Sequence, residues 1–359
     1  MDRRIRESTR PLHVRVVIAN FGMPAAWRAE DYDSYWADTS RPVREQRLPL
    51  FEYKVDWGFH IMALGIHMMD RGIADEIEFW NFTEDDGTTW HRRGMSYHYM
   101  GVLRVNFVNE QDVAAYIRRY GVPDLFVNHG RNGIPILRHL EDRCFRVHVP
   151  ASRYGMIDQS NHDAECYLVD AERFIDGKSM LYVPVVNTRR IFPTGGEPVR
   201  DFVYLAWPHR GKRHDVVVKA ARDHDMSGRF HPVPKGTFDL HQAPISTSEF
   251  NEVDLVQLLG SSRIAVYPGD NTSNPAAMWE CVAAGLPIVV NENILGGHHL
   301  VVPGVTGEFA SESDFGVVMR RTIDRRNDYK PREYFDQHWS TAAVLDEYLD
   351  FLRRHGWGC

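Results

Sequence analysis

The sequence predicts an α/β fold of two domains, each built on a mainly parallel sheet. The chain has 359 residues, of which 43% are hydrophobic, so it can bury two sizeable cores. Short apolar strands alternate with helical patterns along its whole length, which is typical of parallel α/β layers. The turn-rich segment Thr194–Pro198 separates two such series and marks the predicted domain boundary.

The first series runs up to this break. Its strands are short apolar runs, predicted at His13–Ala19, Glu76–Phe82, Val102–Phe107, Leu125–Asn128, Phe145–Val149, Cys166–Val169 and Met180–Val185. Its helices are longer amphipathic stretches, predicted at Trp57–Asp70, Glu110–Tyr120 and Ile134–Glu141.

The second series follows the break. Its strands are predicted at Phe202–Ala206, Phe230–Val233, Ile264–Tyr267 and Ile288–Asn291, and its helices at Asp215–Asp225, Glu249–Leu259 and Pro275–Ala284. Near the end of the chain, residues Ala342 to Arg354 place their apolar side chains on one helical face, which predicts a final helix.

Charge and composition exclude several classes of function. The 49 acidic and 42 basic residues leave a net charge of −7, which argues against nucleic acid as a partner. No apolar run approaches the roughly 20 residues needed to span a bilayer, and the charged first ten residues are unlike a secretory signal. The four cysteines form no Cys-x-x-Cys pair. We therefore expect a cytoplasmic protein with reduced thiols and no integral membrane association.

The most informative segment runs from Asn274 to Val290. Asn274 and Pro275 have the chemistry of a helix start, and Gly285 suits a helix end. Glu280 is the only charged residue of this helix and lies near its positive end. Such a carboxylate is well placed to accept hydrogen bonds from a diol. The alternative is an ordinary capping glutamate in a βα unit.

This segment resembles the C-terminal signature of the retaining GT-B glycosyltransferases, in particular glycosyltransferase family four, which includes sucrose, glycogen and mannosyl synthases. Shared features are the polar loop Gly269–Ser273, the helix, and the later glycines Gly296, Gly297 and Gly307. The segment Met180–Pro193 is similar to the family's domain-linking segment. The resemblance implies two Rossmann-like domains facing each other across a cleft. Residues 1–193 would form the acceptor-side domain, together with a returning C-terminal helix at 340–359, and residues 194–339 would bind the nucleotide sugar.

The resemblance also implies roles for basic residues and one histidine. The family carries an arginine and a Lys-Gly pair after the first strand of its second domain, so Arg210 and Lys212 are candidates to neutralise a diphosphate leaving group. Arg213 or His209 could replace either one, and a solvated basic turn is the structural alternative. His129, at the predicted end of a strand, would lie near the donor sugar or serve a structural role.

Donor-binding candidates implied by the family pattern are Gly58, Asn271, Thr272, Ser273, Asn274 and Glu280. Glu280 would hold the nucleotide ribose, and the amides at the start of its helix would face phosphate or sugar. The family has another glutamate earlier in its motif, separated from this one by seven residues, and this chain has Thr272 at that position. A threonine cannot stabilise oxocarbenium charge, so both altered sugar choice and lost activity stay open.

A long insertion separates the first predicted strand from the first helix. About 35 residues lie between Gly22 and Gly58, and an insertion of this length is usually functional or disordered. It carries aromatic and arginine side chains that suit sugars, phosphates and carboxylates. The acceptor-binding candidates are Trp27, Tyr35, Trp36 and Arg44. A structural lid is the alternative.

The predicted activity is therefore metal-independent, retaining transfer of a hexosyl or aminohexosyl group. The donor is a nucleotide-diphosphate sugar acting as co-substrate, with no cofactor, and the acceptor is a small molecule or a carrier-bound group. The arginine-rich composition is typical of a GC-rich genome, where tailoring of secondary metabolites is one setting for such an enzyme. Two alternatives stay open: a GT-B-fold nucleotide-sugar isomerase or epimerase, and a non-catalytic sugar-nucleotide binder.

Overall fold

The computed structural model divides the chain into two compact units, one formed by Met1–Tyr182 with Leu345–Cys359 and the other by Val183–Val344. The predicted boundary at Thr194–Pro198 lies inside the second unit. The structure describes residues 13–20, 63–82, 91–96, 101–107, 109–129, 139–140, 144–149, 164–167, 179–181, 183–188, 191–240, 242–249, 254–270 and 275–358.

The first unit contains an eight-stranded sheet in the order β3-β4-β2-β1-β5-β6-β7-β8. All neighbouring strands pair in parallel except β3 and β4, which pair antiparallel at one edge. The strands are β1 (Arg15–Asn20), β2 (Glu76–Phe82), β3 (His91–Ser96), β4 (Gly101–Phe107), β5 (Leu125–His129), β6 (Phe145–Val149), β7 (Ala164–Tyr167) and β8 (Ser179–Leu181). Helix α1 (Glu110–Tyr120) begins at the N-cap Asn109, whose side chain accepts a hydrogen bond from the Asp112 amide.

A buried carboxylate organises the core of this unit. Glu78 is fully buried in β2 and accepts hydrogen bonds from Trp80 Nε1 at 2.6 Å and from the Tyr116 hydroxyl at 2.9 Å. The Arg15 guanidinium lies 3.7 Å from the same carboxylate and adds the balancing charge. Because buried charges are tolerated only when paired and hydrogen-bonded, this network fixes β1, β2 and α1 relative to one another.

The final helix α7 (Thr341–Arg354) places its C-terminal part in the first unit. Its side chains Leu345, Tyr348, Leu349 and Leu352 are buried, as the helical periodicity predicted. Asp346 accepts hydrogen bonds from His67 at 3.0 Å and from Arg71 at 2.7 Å. These contacts attach α7 to the helical segment 63–70 and to the turn after it.

The second unit contains a six-stranded, fully parallel sheet in the order β11-β10-β9-β12-β13-β14. Its strands are β9 (Arg200–Leu205), β10 (Gly228–His231), β11 (Ile245–Thr247), β12 (Ser262–Tyr267), β13 (Ile288–Asn291) and β14 (Gly307–Ala310). Its helices are α2 (His214–Asp223), α3 (Leu255–Gly260), α4 (Ala276–Ala283), α5 (Phe315–Asp324) and α6 (Pro331–His338).

Among its parallel strands, each sheet has one point where the direction of strand order reverses. In the first sheet this point lies between β1 and β5, and in the second between β9 and β12. In open α/β sheets, ligands bind outside the carboxyl ends of the strands at such a point. The loops after β1, β5, β9 and β12 are therefore the places where the fold offers binding sites.

Several predicted elements need correction. The helix predicted at Glu249–Leu259 begins only at Leu255, because Asp254 acts as the N-cap and accepts from the Gln257 amide at 3.1 Å. Of the helix predicted at Ile134–Glu141, residues 139–140 form a turn and the others lie outside the described residues. Elements that the sequence did not predict are β3, β11, β14, α5 and α6.

Gly307 provides a test of the second sheet. It pairs with Ile288 so closely that an added Cβ would lie 2.0 Å from the Ile288 carbonyl oxygen. Gly307→Ala should therefore lower the free energy of unfolding by about 1–3 kcal/mol, the usual cost of overpacking. The matched control is Gly196→Ala, whose Cβ would meet its nearest atom at 3.8 Å. Chemical denaturation that finds the two variants equally stable would show that the β13–β14 contact is looser than described.

Candidate functional site

The loop that follows β9 lies at the reversal point of the second sheet and carries the predicted basic residues. It forms a short 3-10 turn over Arg210–Lys212, and the N-cap of this turn is His209. The His209 Nδ1 atom accepts a hydrogen bond from the Gly211 amide at 3.1 Å. His209, one of the two alternatives left open by the sequence, therefore holds the turn together.

Arg213, the other alternative, joins this turn to α2. Its backbone is left-handed, with φ of 51° and ψ of 46°. Its guanidinium donates two hydrogen bonds to Asp215 and two to Glu312. The hydrogen bonds that Arg213 donates to Glu312, followed by those to Asp215, raise the pKa of Arg213. A positive φ favours glycine, so this backbone conformation is unusual for an arginine.

Lys212 is half-buried, and its main-chain carbonyl accepts a hydrogen bond from the buried Tyr204 hydroxyl at 2.5 Å. Burial lowers the pKa of the Lys212 amine, because the surroundings solvate the charged form poorly. A bound anion would favour the charged form again. The partial burial of Lys212 therefore fits a role in binding an anionic ligand better than it fits the alternative, a solvated surface turn.

Arg210 has a different environment from Lys212. Its side chain is exposed and lines a surface cleft of about 630 Å³, which we call the α2 cleft. Across the residues that the structure describes, the Arg210 guanidinium has no ion-pair partner. The α2 cleft is also lined by Pro208, His209, His214, Asp215, Val218, Lys219, Arg222, Thr237, Phe238 and Asp239.

His214 forms an apolar wall of the α2 cleft. It is the first residue of α2, is only 3% exposed, and stacks on Phe238 with a ring separation of 4.6 Å. Burial lowers the pKa of His214 to about 4. Its imidazole is therefore neutral near pH 7 and adds no positive charge to the basic loop.

Helix α4 presents Glu280 on the other side of the reversal point. The helix begins at Ala276 with Pro275 as its N-cap, one residue later than predicted from Asn274 and Pro275. At its C-terminal end Gly285 has a φ of 85°, and the Leu286 amide donates to the Cys281 carbonyl, so the predicted glycine stop is confirmed. Glu280 itself is half-buried.

Two buried tyrosines connect these elements beneath the loops. Tyr204 of β9 and Tyr267 of β12 pack edge to face, with ring centroids 5.8 Å apart. The Tyr267 hydroxyl lies 3.3 Å from the Cys281 sulfur of α4. Burial raises the pKa of Tyr267, and the neighbouring Cys281 and Glu280 raise it further. Tyr204 thus contacts the loop of Lys212, while Tyr267 contacts the helix of Glu280.

These tyrosines are the site residues that sequence reasoning missed. Each lies near the end of a strand, at a position where any large apolar side chain would satisfy the pattern. Their contacts involve loops and helices remote along the chain, so no local motif identifies them.

The other donor-site candidates lie outside the residues that the structure describes. Asn271, Thr272, Ser273 and Asn274 lie outside the described residues, as do Gly58 and the proposed acceptor residues Trp27, Tyr35, Trp36 and Arg44. The loop between β12 and α4 is described only as far as Asp270. Its start is fixed by the buried Asn291, which donates from Nδ2 to the Pro268 carbonyl at 2.8 Å.

His129 is the last residue of β5, at the reversal point of the first sheet. Its backbone is in register with Asn20 at the end of β1 and with Val149 at the end of β6. This is the strand-end position that the sequence predicted. The structure describes its backbone and not its side chain.

Comparison with known structures identifies the fold. HepE from Anabaena, in complex with UDP and glucose, matches with a TM-score of 0.65 and 10% identity over 95% of this chain and 100% of that chain. A sucrose-phosphate synthase from Thermosynechococcus elongatus matches with a TM-score of 0.64 and 13% identity over 83% of this chain and 93% of that chain. AviGT4, a glycosyltransferase involved in avilamycin A biosynthesis, matches with a TM-score of 0.61 and 13% identity over 95% of this chain and 97% of that chain.

This chain has the GT-B fold. The predicted fold class is thereby confirmed, although no protein-family model and no curated protein matches the chain. Identities of 10% to 13% speak for the fold alone.

Metal-binding clusters and membrane-spanning helices are both absent from the described ranges. No three His, Cys, Asp or Glu side chains lie together in an arrangement that could hold a metal ion. None of the helices in these ranges combines the length and apolar character that crossing a bilayer requires.

Proposed function

We propose that this chain is a retaining glycosyltransferase of family four that moves a sugar from a nucleotide diphosphate to an acceptor. One observation carries the proposal: Lys212 and Glu280 flank the reversal point of the second sheet and are connected through Tyr204 and Tyr267. A cation for a diphosphate and a carboxylate for a ribose are the two groups that a nucleotide-sugar site requires on this domain.

In the proposed reaction, the bond between the anomeric carbon and the diphosphate oxygen breaks, and its electron pair stays on the diphosphate. The Lys212 ammonium stabilises this growing negative charge, as preorganised cations do in transition states. The acceptor hydroxyl forms the new bond on the same face of the sugar and gives its proton to the leaving phosphate. Glu280 accepts hydrogen bonds from the two ribose hydroxyls and thereby sets the position of the donor.

Arg210 is proposed as a second, more exposed cation. Its guanidinium lies on the same turn as Lys212 but borders the α2 cleft, so we expect it to attract the donor rather than to contact the breaking bond. Long-range attraction of this kind raises association rates and is screened by salt.

The donor and acceptor classes follow from the same reasoning. HepE is described with UDP and glucose, which supports UDP-hexoses and UDP-aminohexoses as the first donors to test. AviGT4 acts in avilamycin A biosynthesis, which supports a small-molecule or carrier-bound acceptor in secondary metabolism. We propose that Trp27, Tyr35, Trp36 and Arg44 recognise this acceptor, with His129 near the donor sugar, and that neither a metal ion nor a cofactor takes part.

Thr272 supports a second candidate, a binder of nucleotide sugars without catalysis, because it replaces a glutamate of the family pattern. A panel of nucleotide sugars, with and without simple acceptors, separates the possibilities. Release of free nucleotide diphosphate supports a transferase. A new nucleotide sugar without release indicates an isomerase, and calorimetric binding without any reaction indicates the binder.

Replacing Lys212 tests the leaving-group role. Lys212→Ala should lower kcat by about 10²-fold, the scale seen when one stabilising donor is removed from a developing oxyanion. Lys330→Ala is the matched control, since Lys330 is an exposed lysine 3.7 Å from Glu333 in the same unit. Arg210→Ala should chiefly raise KM at low salt. If Lys212→Ala keeps wild-type kinetics, Lys212 is not the diphosphate ligand.

The pH dependence of the rate tests the same amine. Lys212 stabilises the diphosphate only while it is protonated, and its pKa is lowered by burial. We therefore expect kcat/KM to fall with rising pH earlier than an ordinary lysine would allow. In Lys212→Arg the charge persists to higher pH, so this alkaline fall should move upward. An unchanged alkaline fall in the arginine variant would assign it to another group.

Glu280→Gln tests ribose recognition. Hydrogen bonds to a charged group contribute about 1.5–3 kcal/mol, so loss of the charge should weaken UDP binding roughly tenfold or more. The melting temperature should stay close to that of the wild type, because Glu280 is only half-buried. Calorimetry that shows unchanged UDP affinity together with a lower melting temperature would make Glu280 a structural residue.

A further inference from the structure

The backbone breaks sharply between Lys212 and α2. The turn Arg210–Lys212 is right-handed and α2 begins at His214, so Arg213 is the only residue between two helical segments. Right-handed helices need a φ near −63°, whereas Arg213 has a φ of 51°. If Arg213 took the right-handed conformation, turn and helix could continue as one helix. Since successive helical residues are turned by about 100°, the Lys212 side chain would then take a new direction.

The left-handed conformation is unfavourable for an arginine and needs support from its surroundings. For an L-residue, the free-energy cost of the left-handed conformation lowers the population of that conformation roughly tenfold or more. The Arg213 guanidinium lies between two carboxylates, with bonds of 3.2 and 3.1 Å to Asp215 and of 2.8 and 2.6 Å to Glu312. Asp215 belongs to the first turn of α2, and Glu312 follows β14, so the guanidinium ties the break to two separate elements.

A third contact restrains the residue on the N-terminal side of the break. The Tyr204 hydroxyl donates to the Lys212 carbonyl at 2.5 Å, and the Tyr204 ring is packed between His214, Phe230 and Tyr267. The peptide between Lys212 and Arg213 is therefore held both by the Tyr204 hydrogen bond and by the ion pairs of Arg213. Strained backbone that is held so firmly is characteristic of functional positions.

These contacts also exclude Arg213 as a phosphate ligand. Four of its hydrogen bonds go to carboxylates, and their two negative charges outweigh its single positive charge. Few donors and no net positive charge are left for a diphosphate. Arg213 can therefore contribute only through its backbone conformation.

We propose that Arg213 is a positioning residue, whose ion pairs with Asp215 and Glu312 hold the left-handed break that presents Lys212 away from α2. This inference rests on the proposed role of Lys212 in binding the diphosphate. It assigns Glu312, remote in sequence from every family motif, an indirect part in catalysis.

Two substitutions of Arg213 separate the effect of its backbone conformation from the effect of its charge. Arg213→Gly removes the ion pairs but adopts a positive φ without cost, so turnover should stay within a few-fold of the wild type. Arg213→Ala removes the same ion pairs and bears the cost of the left-handed conformation, so turnover should fall roughly tenfold. Equal losses in both variants would make the guanidinium itself the functional group and would overturn the proposal.

Substituting Glu312 provides an independent test of the proposal that leaves Arg213 in place. Glu312→Gln weakens the ion pairs and should lower turnover in the same direction as Arg213→Ala, by a smaller factor. In the Arg213→Gly background, Glu312→Gln should have no effect, because there is no guanidinium to hold. An equal effect in both backgrounds would show that Glu312 acts by another route and would contradict the proposal.

A final measurement needs no activity and so stands apart from the proposed function. The chain has six lysines, so the methylated amine signals are few enough to assign by NMR, with Lys212→Arg identifying the signal of Lys212. The pKa of Lys212 should stay lowered in Arg213→Gly and rise toward its ordinary value in Arg213→Ala. An unchanged pKa in the alanine variant refutes positioning by Arg213. The expected shifts in a protein that transfers no sugar would leave the positioning intact and refute only the proposed function.

Discussion

The parallel pairing of β9 with β12 is the constraint on which the proposed donor site depends. The two strands are neighbours at the centre of the second sheet, with Phe202 opposite Ile264 and Val203 opposite Ala265, all fully buried. A shift of one residue would turn each of these side chains to the opposite face, so burial fixes the register strongly. Their carboxyl ends must then meet, and the loop of Lys212 and the helix of Glu280 come to the same edge.

Strand register alone does not determine where a functional atom lies. Two tyrosines connect the strand ends to the loop of Lys212 and to the helix of Glu280. Tyr204 and Tyr267 extend from the ends of the paired strands, contact each other, and reach upward to the Lys212 carbonyl and to Cys281. Both hydroxyls remain protonated, since burial raises their pKa. The sheet is thus connected to the Lys212 loop and to helix α4 by hydrogen bonds of tyrosines that stay protonated near pH 7.

The sequence predicted what local patterns determine and failed where pairing or distant partners decide. Glu76–Phe82 and Glu110–Tyr120 were predicted with the observed bounds, because an apolar run and an amphipathic repeat define them. The polar strand β3 was missed, since its structure comes from pairing with β4. In the candidate site, the basic residues drew attention to the loop, but the ion pairs within it could not be predicted, because Glu312 lies about one hundred residues away from Arg213.

The basic loop shows why charge is a weak guide to role. Arg210, Lys212 and Arg213 are near neighbours with the same formal charge, and the sequence left their register open. Their surroundings separate them: Arg210 is exposed beside the α2 cleft, Lys212 is half-buried above Tyr204, and Arg213 is paired with two carboxylates. Of the three, only Lys212 combines a cationic group whose pKa is lowered by burial with a backbone carbonyl held by a buried tyrosine. A charge becomes useful for stabilising a transition state when desolvation strengthens it and the fold holds it in place, and among these three residues the structure gives both conditions to the lysine.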